Sequence, residues 1–158
     1  MTTITANKDI FSALIAKHDI QRDLCKSFQK RVDAKDRDKA KEVFLELEAE
    51  LKAHAAAEER HLYVPVMAFD EGLDLSRHAI AEHHEMDELM ATLGDGRTGD
   101  DRFFETANAL IEETIHHLKE EENEFFKEAK KLLDADTQKR LGTLYQAEHD
   151  AYEARHEG

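Results

Sequence analysis

The apolar positions of this chain recur at alternating spacings of three and four, as in helices that turn one face inward. Phe11, Leu14, His18, Gln21, Cys25, Phe28 and Val32 form the first seam, with Asn7 or Asp9 placed to cap its start. The charged stretch 33–38 reads as a turn. Ala40, Val43, Leu47, Leu51, His54, Glu58 and either His61 or Leu62 make a second stripe. Pro65 should end or bend it near Tyr63 and Val64, because proline lacks an N–H and disfavours a helical residue before it. Residues 69–72 form the next predicted turn. A third helix carries Ala79, His83, Met86, Met90 and Leu93, and stops at the glycine-rich stretch 94–99. The fourth, from about 101 to 133, sets Phe103, Ala107, Leu110, Thr114, His117 and Glu121 on one stripe, with Ile111, Leu118 and Phe125 beside it. A last amphipathic segment carries Leu141, Leu144, Tyr145 and Tyr152. Strand patterning is absent. Long helices on short connections are antiparallel neighbours. The pattern therefore predicts one all-α domain, an up-down-up-down four-helix bundle over 8–132. An additional C-terminal helix over 134–157 packs outside it.

Composition narrows the picture. One proline and six glycines in 158 residues leave few helix breakers. No stretch approaches the roughly 20 apolar residues of a spanning helix, so no membrane is expected as partner. Twenty-two basic against 36 acidic residues give a net charge of −14, which argues against binding a phosphate backbone. The single cysteine, Cys25, excludes an internal disulfide and suits a reducing compartment. Residues 1–7 show neither the basic start nor the apolar run of a secretion signal, so a cytoplasmic location is expected.

Ten histidines need explaining. His18, His54 with Glu58, His83, and His117 with Glu121 interrupt the apolar stripes of all four helices, and burying such groups is costly unless they are paired or hold a metal. The arrangement also repeats. His54-Ala-Ala-Ala-Glu58-Glu59 and His117-Leu-Lys-Glu-Glu121-Glu122 share the pattern His-x-x-x-Glu-Glu, followed two residues later by two bulky residues. A lone histidine precedes each, by 36 and 34 residues. Each half thus offers one histidine on one helix and a His-x-x-x-Glu pair on the next, which predicts a pseudo-twofold site.

Heights along the bundle support this. In an antiparallel hairpin two residues are level when the turn falls midway between them. With the two pairs centred on 56 and 119, the midpoints fall at 37, 69.5 and 101, at or beside the turns assigned above. The six residues should meet in one layer, and i and i+4 share a helix face. Four imidazoles and two carboxylates suit two ions, with Glu58 and Glu121 bridging them and open positions left for a small ligand. Mixed imidazole and carboxylate ligation fits iron, with manganese or zinc as other occupants.

These residues resemble the hemerythrin-like family, the HHE cation-binding domains. The motifs that carry the likeness are Ala16-Lys17-His18, His54-x-x-x-Glu58-Glu59 with Leu62-Tyr63-x-Pro65, Ala81-Glu82-His83, and His117-x-x-x-Glu121-Glu122. The resemblance implies a bundle holding a non-haem di-iron centre, oxo- or hydroxo-bridged. It implies binding or sensing of dioxygen, nitric oxide or peroxide, with a di-iron oxidoreductase (peroxidase, catalase-like or ferroxidase) as the alternative. Oxygen carriers of the family place a His-x-x-x-His pair on the third helix. Here Ala79 and Asp87 flank His83 at that spacing, and His78 lies one position off. Six ligands thus match a four-histidine subgroup.

A ferritin-like centre is the rival fold reading. Its Glu-x-x-His spacing occurs at Glu58–His61 and Glu113–His116, but the first helix contains no glutamate. His84 and His116 should be partly exposed or in outer contact, and His149 and His156 solvated. Tyr63 should pack, ligate or donate a hydrogen bond. Glu59 and Glu122 are either orienters of the ligands or surface charge.

Overall fold

Asp9 starts the first helix by accepting a hydrogen bond from the Ser12 backbone N–H at 2.9 Å. Helix α1 (Ile10–Asp33) follows in this computed structural model, which describes residues 8–156. The alternative cap, Asn7, and the side chain of His156 lie outside the described residues. Residues 34–36 reverse the chain, with Lys35 in the left-handed region at φ 57°, and Asp36 caps α2 (Arg37–Glu58). The α2 helix runs without a break into a π turn (Glu59–Tyr63) and then α3 (Val64–Met67). Helix α4 (Asp70–Gly94) and α5 (Asp100–Glu120) form the second hairpin. A second π turn (Glu121–Phe125) carries α5 into α6 (Phe126–Leu132), and α7 (Ala135–His156) closes the described chain. No strand occurs among the described residues, and none of their helices is long and apolar enough to cross a membrane.

Three expectations change. Pro65 does not end the second helix. The Val64 N–H bonds back to the Glu59 carbonyl, so the ordinary ladder is already shifted where proline has no N–H to give, and Pro65 sits at the start of α3. The following turn shrinks accordingly, because Asp70, Glu71 and Gly72 already belong to α4. On α2 the inward residue is Phe44, fully buried, while Val43 only flanks the core.

The α7 helix is the expected additional C-terminal helix, and it packs against α1 and α2. Leu141, Tyr145 and His149, spaced by four, are buried with at most 3 % exposure, whereas Leu144 is 40 % exposed. His149, expected in solvent, is enclosed and hydrogen-bonds Glu50 at 2.9 Å.

Two apolar clusters fill the interior. One, at the end of the loops before α2 and α5, includes Phe28, Phe44, Leu47, Met90, Leu93 and Phe103. The other, at the opposite end, includes Phe11, Leu14, Tyr63, Phe125, Phe126 and Tyr145. Between them lie His18, His54, Glu58, His83, His117 and Glu121, each no more than 6 % exposed.

Candidate metal centre

The i,i+4 spacing on α2 sets His54 Nε2 3.2 Å from Glu58 Oε1, and the equivalent spacing sets His117 Nε2 3.8 Å from Glu121 Oε2. The lone histidines arrive from α1 and α4. His18 Nε2 lies 3.2 Å from Glu121 Oε1, and His83 Nε2 lies 3.5 Å from Glu58 Oε1 and 3.2 Å from His117 Nε2. The structure thus brings all six predicted residues together. They form two groups whose donor atoms lie within 4.8 Å of one another: His18, His54, Glu58 and Glu121, and Glu58, His83 and His117. Each group takes both histidines of one half of the chain, and Glu58 belongs to both.

Every one of the four imidazoles is held from behind. Nδ1 of His18 lies 2.6 Å from Glu122, Nδ1 of His83 2.8 Å from Glu59, and Nδ1 of His117 2.7 Å from Glu82. An ionised carboxylate only accepts, so these three rings carry a proton on Nδ1 and point Nε2 inward. Nδ1 of His54 meets the Tyr145 hydroxyl at 2.7 Å. Outer partners of this kind fix the orientation of a metal-binding histidine and raise its basicity. Glu59 and Glu122 are therefore orienters. Each grips the lone histidine of the other half, and Arg22 steadies Glu122 at 2.8 Å.

Tyr63 reaches the middle of the site. Its hydroxyl donates to Glu121, lies 3.0 Å from Glu58 Oε1, and stands 3.5 Å from His83 Nε2. In an α-helix, a residue five positions beyond Glu58 faces about 140° away. The π turn, with its i→i+5 bonding, returns Tyr63 to the face of Glu58. The second π turn does the same for Phe126, which stacks on His18 with ring centroids 5.8 Å apart. Burial, then the charges of Glu121 and Glu58, pushes the Tyr63 phenol well above its ordinary range, so it stays protonated and donates.

Other histidines stand apart. His61 bonds Glu148 of α7 at 3.1 Å, and His84 is exposed. The side chains of His78 and His116 are 61 % and 59 % exposed. The ferritin-like spacings at Glu58–His61 and Glu113–His116 therefore converge on nothing. Two functional contacts were missed by sequence reasoning. Glu82 gave only its adjacency to His83. Tyr145 gave the 141–145–149 spacing on a helix expected outside the bundle.

The model of the hemerythrin HHE cation binding domain matches residues 9–129. The chain belongs to this family. No curated protein and no solved structure matches it. For a hemerythrin-like domain the test is whether its own atoms call for cations. His18 Nε2, His54 Nε2, Glu58 Oε2 and Glu121 Oε1 are all buried without a hydrogen-bond partner. Leaving such atoms unpaired costs about 1–3 kcal/mol each, so native proteins rarely do. Their convergence in one pocket is what a cation site requires, and the donor set fits. Electrostatics agree. Burial opposes charge on Glu58, yet the neighbouring imidazoles of His54 and His83 hold it well below the usual carboxylate range. Burial lowers His18 and His83, but the neighbouring carboxylates of Glu121 and Glu122 raise His18 to about 9, and those of Glu58 and Glu59 raise His83 to about 10. Two protons thus stand in for cations.

Proposed function

We propose that this hemerythrin-like domain holds two iron ions and uses them to bind or sense a small ligand such as dioxygen, nitric oxide or peroxide. His18, His54, Glu58 and Glu121 would hold one ion, and Glu58, His83 and His117 the other. Manganese or zinc would also satisfy this donor set. The observation that carries the reading is the four inward Nε2 atoms, each fixed through Nδ1 by an outer partner. Bound iron would supply the redox chemistry and the open coordination positions. The chain supplies everything else.

Its two ends differ. Around His18 and His54 the wall is Phe126 and Tyr145, both at most 2 % exposed. The His83 and His117 side has one protein donor fewer and borders a cavity of about 270 Å³, reaching from His78 and Glu120 to His117 and Glu121. A ligand has room there. Tyr63 holds its proton at the hydroxyl between Glu58 and Glu121, a neutral donor aimed at the centre. Met86, Met90 and Leu51 close the opposite side around a small hollow, which keeps bulk water from that flank.

Anaerobic iron-loaded protein should change its absorption spectrum when titrated with nitric oxide, saturating at a fixed ratio to the metal pair, and recover when the gas is removed. Iron-loaded protein that ignores both nitric oxide and dioxygen would overturn the reading. The carboxylates lining that cavity also favour a second one, oxidation of ferrous iron or turnover of peroxide. That reading requires peroxide, or ferrous iron with dioxygen, to be consumed over many cycles, and a single stoichiometric reaction in both assays would exclude it.

A further inference from the structure

The His-x-x-x-Glu spacing recurs outside the centre, and two of its copies face each other across α4 and α5. His78 and Glu82 are four apart on α4, and His116 and Glu120 are four apart on α5. Residues 78 and 120 share a midpoint of 99 with residues 82 and 116, at the loop between these antiparallel helices. The two pairs are therefore level and face each other head to tail. His78 Nε2 lies 2.5 Å from Glu120 Oε1 and 3.3 Å from Glu82 Oε2. His116 Nε2 lies 3.1 Å from Glu120 Oε2 and 3.8 Å from Glu82 Oε2. Donor atoms of His78, Glu82 and Glu120 fall within 4.8 Å of one another.

We infer that His78, Glu82 and Glu120, with His116 beside Glu120, form an outer site for one divalent transition-metal ion, from which metal enters the inner centre. Two imidazoles and two carboxylates make the same mixed donor set as inside, suited to iron, zinc or manganese rather than to calcium or magnesium. Placement supplies the second argument. His78, Glu82 and Glu120 line the cavity of about 270 Å³ whose floor is His117 and Glu121. Metal arriving at the exposed pair of histidines thus has a carboxylate-lined route inward, and a chain of net charge −14 draws cations to it. Glu82 joins the two sites directly, with Oε2 toward His78 and His116 while Oε1 holds His117 Nδ1. Surface His–Glu pairs add little stability, so ion pairing alone gives no account of four such groups set level around a cavity mouth.

The inference adds a site to the proposed centre and rests on that reading only for the route inward. The test is zinc binding to full-length protein, counted by equilibrium dialysis and elemental analysis, with loading followed in time. Wild type should take up three ions, the H78A/H116A double variant two, and E58A should keep the outer ion while losing inner ones. Both outer histidines are exposed, so the double variant should unfold thermally like wild-type apoprotein. It should also load its inner ions at least several-fold more slowly. An unchanged count in H78A/H116A would overturn the outer site. A lost ion with unchanged loading would overturn its role in entry. Failure of the inner centre would show separately, as an E58A protein that binds like wild type.

Discussion

Glu58 Oε2 and Glu121 Oε1 are the carboxylate oxygens left without partners in the buried layer, while Glu59 and Glu122 are committed to imidazoles. The consequences of substitution divide accordingly. Glu58→Ala or Glu121→Ala should abolish two-metal occupancy. Glu59→Gln, Glu122→Gln and Tyr145→Phe should leave both ions in place but weaken binding by about 10–100-fold, as loss of an orienting partner does. Competition titration against a chelator separates the two classes, and equal losses from both would show that the inward and outward assignments are wrong. Protons report on the same residues. His18 and His83 hold a proton more tightly folded than unfolded, up to about 9 and about 10 from an ordinary 6.5. In metal-free protein their contribution to stability is fully present below about pH 6.5 and is lost as pH rises through 9 to 10. Glu122, brought down to about 2 by His18 and Arg22 against the opposing effect of burial, contributes above about pH 4.5 and loses that contribution as pH falls toward 2. Denaturation of the apoprotein should therefore show stability declining between pH 7 and 10, while metal affinity rises over the same range because the imidazoles must give up protons to bind. Apoprotein stability that climbs through that range would contradict the raised histidines.

At the scale of the helices, the sequence carried the six inward residues because a duplicated spacing and level turns are both readable without coordinates. The π turns were not readable. A period of 3.6 has no place for an extra residue, so the route by which Tyr63 joins the face of Glu58 stayed hidden, and Tyr63 was left between packing, ligation and donation. Pro65 marks the irregularity expected near Tyr63 and Val64, but as a π turn that shifts the ladder rather than as the end of the helix. His149, expected in solvent, shares a helix face with Leu141 and Tyr145 and is buried there beside Glu50 of α2. That helix is held by a close approach. A Cβ on Gly142 would stand 2.3 Å from the Lys8 carbonyl oxygen and 2.8 Å from the Ile10 nitrogen, both backbone atoms that cannot swing aside. Gly142→Ala should push α7 off the start of α1, costing about 1–3 kcal/mol in denaturant unfolding, and should weaken metal binding as Tyr145→Phe does. A variant as stable as wild type would mean that α7 is not seated this closely.

For the whole molecule, the two apolar clusters explain why the centre lies where it does. Each end of the bundle packs an apolar core, and the polar layer between them leaves buried donor atoms placed to meet the proposed cations. The duplication sets the pseudo-twofold layout, and departures from it give the site a direction. Tyr63 and Glu82 on one side stand opposite Phe126 and Lys17 at the matching repeat positions. Metal that binds only the folded chain stabilises it in proportion to the logarithm of its concentration. The melting temperature should rise with added iron in wild type and rise markedly less in E58A, which keeps only the outer ion. A purely structural helical module would show no rise in either. The most direct measurement is an anomalous difference map at the iron edge from crystals of iron-loaded protein. The account predicts two peaks in the layer of His18, His54, Glu58, His83, His117 and Glu121, with Glu58 contacting both. A single peak there, or iron found only elsewhere on the chain, would contradict it.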